Sequence, residues 1–392
     1  MPKRETIKLY LNLGHTFDHL FMLIFPTVVL AIGLEWQRPY SELLPLSLPG
    51  FIAFGVFSLP AGWLADRWSR TGMMTVFFFG IGLAAILAGL AQSDWQISAA
   101  LGLVGVFAAI YHPVGLAMLV ADEPKLGRTL GVNGVYGNVG LALAALIAGA
   151  LADLWHWRAA FFVPGVMSIA TGVGFAIAAR GGDPVRAKGK PGAAKLPRSV
   201  LLRVFVVVVV ATVCGGVIFN ATTVAMPKVF DERLTALTQS TMGIGLLVCM
   251  VYLIAAMAQL LVGWWLDRRA LKTVFVAVVA LQVPLLLAAG SLQGYAMLAC
   301  AVAMMFVVFG QIPINDAMIA RYTSDEWRAR AYSVRYVLSF AASATAVPLI
   351  AGLYKATGDF ALLFNILAAL AACIFLASLA FPSPREVQAV TP

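Results

Sequence analysis

Apolar residues fill this chain in long stretches, each close to the length of a membrane-spanning helix. About 20 mainly apolar residues cross the hydrocarbon core of a bilayer as a helix. Backbone groups in lipid must be hydrogen-bonded within the segment, so these stretches are predicted to be helical. Twelve such spans are expected, at residues 7–34, 45–66, 71–92, 95–121, 129–153, 158–180, 200–229, 238–266, 270–291, 294–321, 326–355 and 359–381.

Composition supports a membrane protein. The 392 residues are 61% hydrophobic and only 11% charged, whereas soluble proteins average about 25% charged residues. Too few charges are present to cover a water-facing surface of this size. The net charge of +9 therefore points to orientation in a membrane and not to a nucleic-acid partner.

Basic residues fix the expected orientation. Most of the 27 lysines and arginines lie in segments that share one side of the membrane if the N-terminus is inside. Loops rich in Lys and Arg stay cytoplasmic, so both termini are predicted to be cytoplasmic, in a bacterial inner membrane. The apolar run after Lys8 is too long for a signal peptide and is interpreted as the first span.

A basic linker separates two halves of six spans. Residues 181–199 are rich in Gly, Pro and Lys and lack apolar periodicity, which is typical of a flexible linker. We therefore expect an N-terminal six-helix bundle at 1–180, a cytoplasmic linker at 181–199, and a C-terminal six-helix bundle with a short tail at 200–392.

The two halves resemble each other in sequence. "YHPVGLAML" (111–119) aligns with "QIPINDAMI" (311–319), 200 positions later, with Pro113 matching Pro313. Tyr136 matches Tyr336 at the same offset. Several matches at nearly one offset indicate a duplicated unit, and an even number of spans gives both copies the same orientation.

A charged turn recurs between the second and third span of each half. It reads "GWLADRWSR" at 62–70 and "GWWLDRRA" at 263–270. We expect this turn to form a cytoplasmic gate contact that breaks when the halves separate; ordinary positive-inside charge is the alternative for its arginines. The gate residues are Gly62, Asp66, Arg67, Arg70, Gly263, Asp267 and Arg268.

These features together resemble the major facilitator superfamily. The resemblance implies twelve transmembrane helices in two pseudo-symmetric six-helix bundles that rock about a central site. "YHP" at 111–113 and "GNVG" at 137–140 are similar to motifs of the fosmidomycin-resistance group within that superfamily. That narrower resemblance implies a proton-driven exporter of small organic molecules.

Ionisable residues inside the spans are the candidate proton-coupling groups. Charges at the bilayer centre cost about 2.5 kcal/mol or more, so each requires a reason. His15, Asp18 and His19 share one face of the first span, and His112 lies at a similar depth in the fourth. Histidine titrates near neutral pH, so this set suits proton coupling. Hydrogen bonds that merely hold helices together are the alternative.

Two further charges are expected to pair. Asp316 and Arg335 lie in the inner halves of consecutive spans, and an unpaired arginine there would be costly. The pair is either structural or a site for an anionic substrate. Neutral polar residues in the spans are candidate substrate contacts or helix–helix contacts: Tyr111, Asn133, Tyr136, Asn138, Asn220 and Gln259.

The sequence favours a secondary active transporter that exports a small organic solute in exchange for protons. Uptake of an organic anion, transport of a divalent metal by the histidines, and an intramembrane enzyme stay open as alternatives. No phosphate-binding loop of the GxxxxGK[ST] type is present, so ATP hydrolysis is not expected. No catalytic residue, cofactor or resident metal is expected. The expected partners are the substrate, protons and lipid, and the expected state is a monomer.

Overall fold

The computed structural model describes residues 3–121, 126–180, 198–322 and 325–382, and these residues form helices and short connections without a strand. The predicted all-α class is confirmed. The α-helices are α1 Lys3–Trp36, α2 Tyr40–Leu43, α3 Leu48–Arg67, α4 Arg70–Leu90, α5 Asp94–Ala108, α6 Leu116–Val120, α7 Leu126–Leu154, α8 Ala159–Ala178, α9 Arg198–Arg233, α10 Thr241–Leu266, α11 Leu271–Ala289, α12 Gly294–Tyr322, α13 Asp325–Thr357 and α14 Ala361–Leu379. A 3₁₀ turn covers Leu44–Ser47, and a π-helical turn covers Tyr111–Gly115.

Every predicted span lies largely in helix. In the described part of the chain, 11 helical segments are long and apolar enough to cross a membrane. The predicted span 326–355 falls in α13, where most side chains of the first half lie outside the described residues. The predicted linker 181–199 lies outside them as well, apart from the start of α9.

The fourth predicted span, 95–121, differs from a continuous helix. It divides into α5, the π-helical turn and α6. Pro113 lies inside that turn, and proline cannot donate the backbone hydrogen bond that an α-helix needs at this position. A π-helical turn in a helix is rare and frequently marks a functional site.

Packing divides the chain into two compact units. Unit 1 comprises Met1–Ala187 and Val224–Met250, and unit 2 comprises Lys188–Thr223 and Val251–Pro392. Residues 224–250, which include the end of α9 and the start of α10, therefore pack with the first half of the chain. The boundaries proposed from the linker remain predictions.

Small residues let the helices of unit 1 approach closely. A Cβ atom on Gly82 of α4 would lie 2.6 Å from the carbonyl oxygen of Gly165 in α8. A Cβ atom on Gly105 of α5 would lie 2.0 Å from the carbonyl oxygen of Gly50 in α3. Close backbone approach at small residues is how helices associate in lipid, where no hydrophobic force draws them together.

Charged residues gather in the loop after α1. Arg38 donates to both carboxylate oxygens of Asp94, at 2.6 and 2.5 Å, and to Glu42 at 3.1 Å. These bonds, chiefly those to Asp94, raise the pKa of Arg38. The loop is thereby tied to the start of α5.

Candidate functional site

Helix α1 carries the predicted titratable face. His15 is buried, Asp18 has no solvent exposure, and His19 is partly buried. Residues three and four apart lie on one side of a helix, so His15, Asp18 and His19 point in similar directions. The structure therefore keeps on one face the three groups that the sequence placed there.

Helix α7 fits closely against this face because it presents glycine to it. A Cβ atom on Gly137 would lie 2.6 Å from Cε1 of His15, and one on Gly140 would lie 2.3 Å from the carbonyl oxygen of Thr16. The Thr16 hydroxyl donates to the carbonyl oxygen of Tyr136 at 2.9 Å. The "GNVG" motif thus gives α1 the space to approach α7.

The π-helical turn brings two adjacent side chains to α1. The Tyr111 ring stacks on the His15 ring, with centroids 4.9 Å apart and planes 15° apart. The His112 ring meets His15 edge-on at 5.4 Å. Pro113, in the same turn, packs against α3, where a Cβ atom on Gly62 would lie 3.2 Å from the proline Cβ.

His15 is held by a buried hydrogen-bond network. Its Nδ1 lies 2.8 Å from the carbonyl oxygen of Asn133. The side-chain amide of Asn133 donates to the Tyr111 hydroxyl at 2.7 Å and to Oδ1 of Asn12 at 2.9 Å. Asn12 was not among the residues singled out in the sequence.

Asp18 is the most enclosed charged group of the site. Its Oδ2 lies 3.2 Å from Nε2 of His112. Among the described residues, neither carboxylate oxygen accepts a hydrogen bond of ordinary geometry. Nε2 of His19 lies 3.1 Å from Nε2 of His15. We call His15, Asp18, His19 and His112 the histidine cluster.

The three histidines offer ligand atoms of the type that zinc, copper and nickel accept. Those atoms lie within 4.8 Å of one another. Two ligands of one zinc ion lie no more than about 4.2 Å apart, twice the bond length, so the spacing of this set is close to that of a metal site. His15 and His19 face each other at hydrogen-bond distance, so one of these two ring nitrogens donates a proton to the other.

Unit 2 contains the other predicted ionic pair. Nη1 of Arg335 donates to Oδ1 of Asp316, as the sequence led us to expect. The Asp316 side chain is 52% exposed and that of Arg335 is 16% exposed. This pair therefore differs from the histidine cluster, whose carboxylate is completely enclosed.

The neutral candidates are dispersed. Asn133 belongs to the histidine network, Asn138 is buried in α7, and Gln259 is partly buried in α10. Asn220 donates to the carbonyl oxygen of Gly216 at 2.8 Å and accepts from the Ser343 hydroxyl at 2.9 Å. That pairing links α9 to α13 inside unit 2.

The charged turns of the two halves have a common construction. Arg67 lies over the Trp63 ring at 4.3 Å, and Arg268 lies over the Trp264 ring at 4.2 Å. Both pairs have the same spacing, and stacking of arginine on tryptophan is a favourable cation–π contact. These tryptophans were not singled out, although they occupy matching positions in the two copies.

Two residues of the first turn form an ion pair. Asp66 accepts from Nη2 of Arg70 at 2.9 Å. Its counterpart Asp267 donates its backbone N–H to the carbonyl oxygen of Gly263 at 3.2 Å. A Cβ atom on Gly263 would meet nothing within 4 Å, unlike one on Gly62.

A second glycine-lined junction lies within unit 1, where α7 ends and α10 begins. A Cβ atom on Gly149 would lie 2.2 Å from the carbonyl oxygen of Thr241, and one on Gly245 would lie 2.3 Å from that of Ala145. Asp153 accepts from the backbone N–H of Met242 at 2.6 Å. This junction was not predicted from the sequence.

Solved transporters share this fold. A bacterial homologue of the human lysosomal transporter Spinster, in an inward-facing and unoccupied conformation, superposes with a TM-score of 0.75 at 16% identity, covering 98% of this chain and 99% of that one. The same homologue in an occupied inward-facing conformation gives a TM-score of 0.76 at 15% identity, covering 97% and 95%. The chain therefore has the fold of these two structures.

Sequence comparison identifies the family. The profile of the Major Facilitator Superfamily matches residues 16–251 and 234–392, so the chain belongs to the Major Facilitator Superfamily. Its members are transporters and not enzymes. This membership confirms the transporter family that the sequence predicted.

Named relatives match parts of the chain. It is 34% identical over 115 residues to the puromycin resistance protein pur8 of Streptomyces alboniger, covering 29% of this chain and 23% of that protein. It is 30% identical over 147 residues to the multidrug resistance protein MdtG of Yersinia enterocolitica, covering 37% and 35%. The aligned stretches thus span about a third or less of these two relatives.

Proposed function

We propose that this chain exports small organic compounds across the bacterial inner membrane in exchange for protons, with both termini in the cytoplasm. The observation that carries the proposal is the contact between Asp18 and His112. A carboxylate without solvent exposure lies 3.2 Å from an imidazole, in the interior of a family member whose task is transport.

Such a pair can couple proton binding to conformation. An isolated buried charge is costly, so Asp18 is stable either as a carboxylate beside a protonated His112 or as a neutral acid. Water reaching the pair from one side of the membrane changes the balance between these states. Proton binding is then linked to the conformation that admits the water.

The direction of transport is proposed from two observations. The relatives that match are named for resistance to puromycin and to multiple drugs, and resistance of this kind fits export. The "YHP" and "GNVG" motifs, which resemble those of the fosmidomycin-resistance group, build the histidine cluster: one supplies Tyr111 and His112, the other the close approach to His15. Arg335 is already paired with Asp316, which weakens the case for anion uptake.

Alternating access requires contacts that open and close. On the cytoplasmic side we propose the charged turns, with Asp66 and Arg70 in the first copy and Asp267 and Arg268 in the second. On the outer side we propose the junction of Gly149 and Gly245. The transporter is proposed to work as a monomer, since one chain contains all of these parts.

Proton release from purified protein tests the coupling. A panel of antibiotics is added in weakly buffered solution with a pH-sensitive dye, to the unmodified protein and to Asp18→Asn. A transported compound displaces protons from the unmodified protein, and Asp18→Asn lowers that release at least tenfold. Asp94→Asn is the control. It removes a carboxylate that pairs with Arg38, outside the histidine cluster, and is expected to retain release.

Direction is measured in everted membrane vesicles. Export predicts that the compound accumulates inside them when a proton gradient is imposed and leaks out when the gradient is collapsed. Accumulation without a gradient would contradict proton coupling. Release of protons that survives in Asp18→Asn would remove Asp18 from the proposed role.

A further inference from the structure

The bond between His15 and Asn133 determines where the proton of His15 lies. A backbone carbonyl oxygen can only accept a hydrogen bond. The 2.8 Å contact between Nδ1 of His15 and the carbonyl oxygen of Asn133 therefore requires a proton on Nδ1. In the neutral imidazole, the other nitrogen, Nε2, then carries a lone pair.

This lone pair determines the state of His19 in turn. Nε2 of His15 faces Nε2 of His19 at 3.1 Å. With His15 as the acceptor, His19 must donate, so its proton lies on Nε2. A proton on Nε2 of His15 would face the Nε2 proton of His19 across 3.1 Å. Protonation of both rings would place two cations with centroids 4.8 Å apart in a buried site, where like charges repel strongly.

The surroundings keep His15 in this arrangement. The Asn133 amide uses both of its N–H groups, toward Tyr111 and Asn12, which holds this turn of α7 in register with α1. The Tyr111 ring covers one face of His15, and Gly137 lies against it as well. The other titratable groups near His15 are His19, Asp18, His112 and Tyr111; α7 contributes neutral groups to these contacts.

We propose that Asn133 is a positioning residue that keeps the His15 proton on Nδ1, so that His15 acts as a permanent hydrogen-bond acceptor and the exchanged proton is confined to Asp18 and His112. This division of roles rests on the proton-coupled transport proposed above. It separates the four members of the histidine cluster into a fixed pair, His15 and His19, and an exchanging pair. Its core, the tautomer of His15, can be measured without any transport.

Nitrogen NMR of the imidazole rings measures the tautomers directly. The full-length protein is labelled with ¹⁵N-histidine and reconstituted in lipid, and its four histidines are assigned by single substitutions such as His15→Gln. Protonated and unprotonated ring nitrogens have well-separated shifts. We expect His15 with a protonated Nδ1 and an unprotonated Nε2 throughout the neutral pH range.

Two variants test the part played by Asn133. Asn133→Leu removes both amide donors, and a second set of His15 signals with a protonated Nε2 is expected. Tyr111→Phe removes one of the two acceptors while keeping the stacked ring, and a smaller second population is expected. Gln282→Leu is the matched control: a buried amide of unit 2, bonded to Gln311 at 2.8 Å, is lost, and His15 is unchanged.

Proton release against pH completes the test. The profile is expected to change shape in Asn133→Leu, whereas release is lost altogether in Asp18→Asn. Unmodified protein with Nε2 of His15 protonated would overturn the proposal, as would folded Asn133→Leu and Tyr111→Phe proteins with unchanged His15 signals. If the tautomer is as expected but no compound displaces protons, the proposed function fails while the role of Asn133 as a positioning residue stands.

Discussion

Replacing Gly137 with alanine tests how tightly α7 is fitted to the histidine cluster. The added Cβ atom would lie 2.6 Å from Cε1 of His15 and 2.8 Å from its Nε2. Carbon atoms in ordinary contact lie about 3.5–4.0 Å apart, so the ring must retreat by about 1 Å. The 2.8 Å contact between His15 and the Asn133 carbonyl would then exceed the usual hydrogen-bond range.

The magnitude follows from three terms. Overpacking a close-fitted interior costs about 1–3 kcal/mol, and losing one hydrogen bond costs about 0.5–1.5 kcal/mol. Alanine is better than glycine in a helix by about 1 kcal/mol. The net destabilisation expected for Gly137→Ala is therefore about 0.5–3.5 kcal/mol. Gly134, one turn earlier on α7, has open space where its Cβ would be, so Gly134→Ala gains only the helical term.

Thermal unfolding of both variants in the same detergent, followed by tryptophan fluorescence, measures the difference. The order expected is Gly134→Ala at or above the unmodified protein and Gly137→Ala below it. Proton release is measured on the same samples and should be impaired in Gly137→Ala alone. If the two alanine variants unfold at the same temperature, the close fit of His15 against α7 is refuted.

Two other contacts can be tested by substitution, one through stability and one through transport. Gly149→Val should lower the unfolding temperature, because its Cβ would lie 2.2 Å from the carbonyl oxygen of Thr241. Gly352→Val, at an open position, should change the unfolding temperature much less. Equal shifts in the two variants would argue against the α7–α10 junction. Asp66→Asn removes an exposed ion pair with Arg70 worth about 0.2–1 kcal/mol, so the stability of the protein should barely change. Transport in vesicles should nevertheless fall at least tenfold. Transport at the unmodified rate would exclude Asp66 from the gate.

The helices were predictable because lipid imposes simple requirements on the chain. Length, apolar content and internally satisfied backbone groups place each span, and the observed helices follow the predicted bounds closely. The Asp316–Arg335 pair was predictable for a similar reason, since an arginine in a span needs a partner. Costs that depend on one residue at a time can be read from the sequence.

The network around His15 could not be predicted in the same way. Spacing shows which residues share a face of α1, but not which turn of α7 meets that face. The bond to Asn133 uses a backbone carbonyl, which every residue has, so side-chain chemistry gives no signal for it. Asn12 was missed because its role depends on that same register. The glycines of "GNVG" were the available signal for close approach.

The π-helical turn was missed because proline in a membrane helix usually predicts a kink. Here the helix widens over Tyr111–Gly115 instead, and neighbouring side chains both reach α1. The wider turn depends on the number of residues in it as well as on Pro113.

Each residue of an α-helix turns the chain by about 100°. Loss or gain of a single residue between Ala108 and His112 would therefore turn His112 away from Asp18, with which it is now in contact at 3.2 Å. A substitution in this segment changes one side chain, and its effect depends on the chemistry of that side chain. An insertion or deletion instead changes the direction of every side chain beyond it, so it has no mild form. The spacing of this segment is therefore as much a part of the proposed proton chemistry as the histidine that it carries.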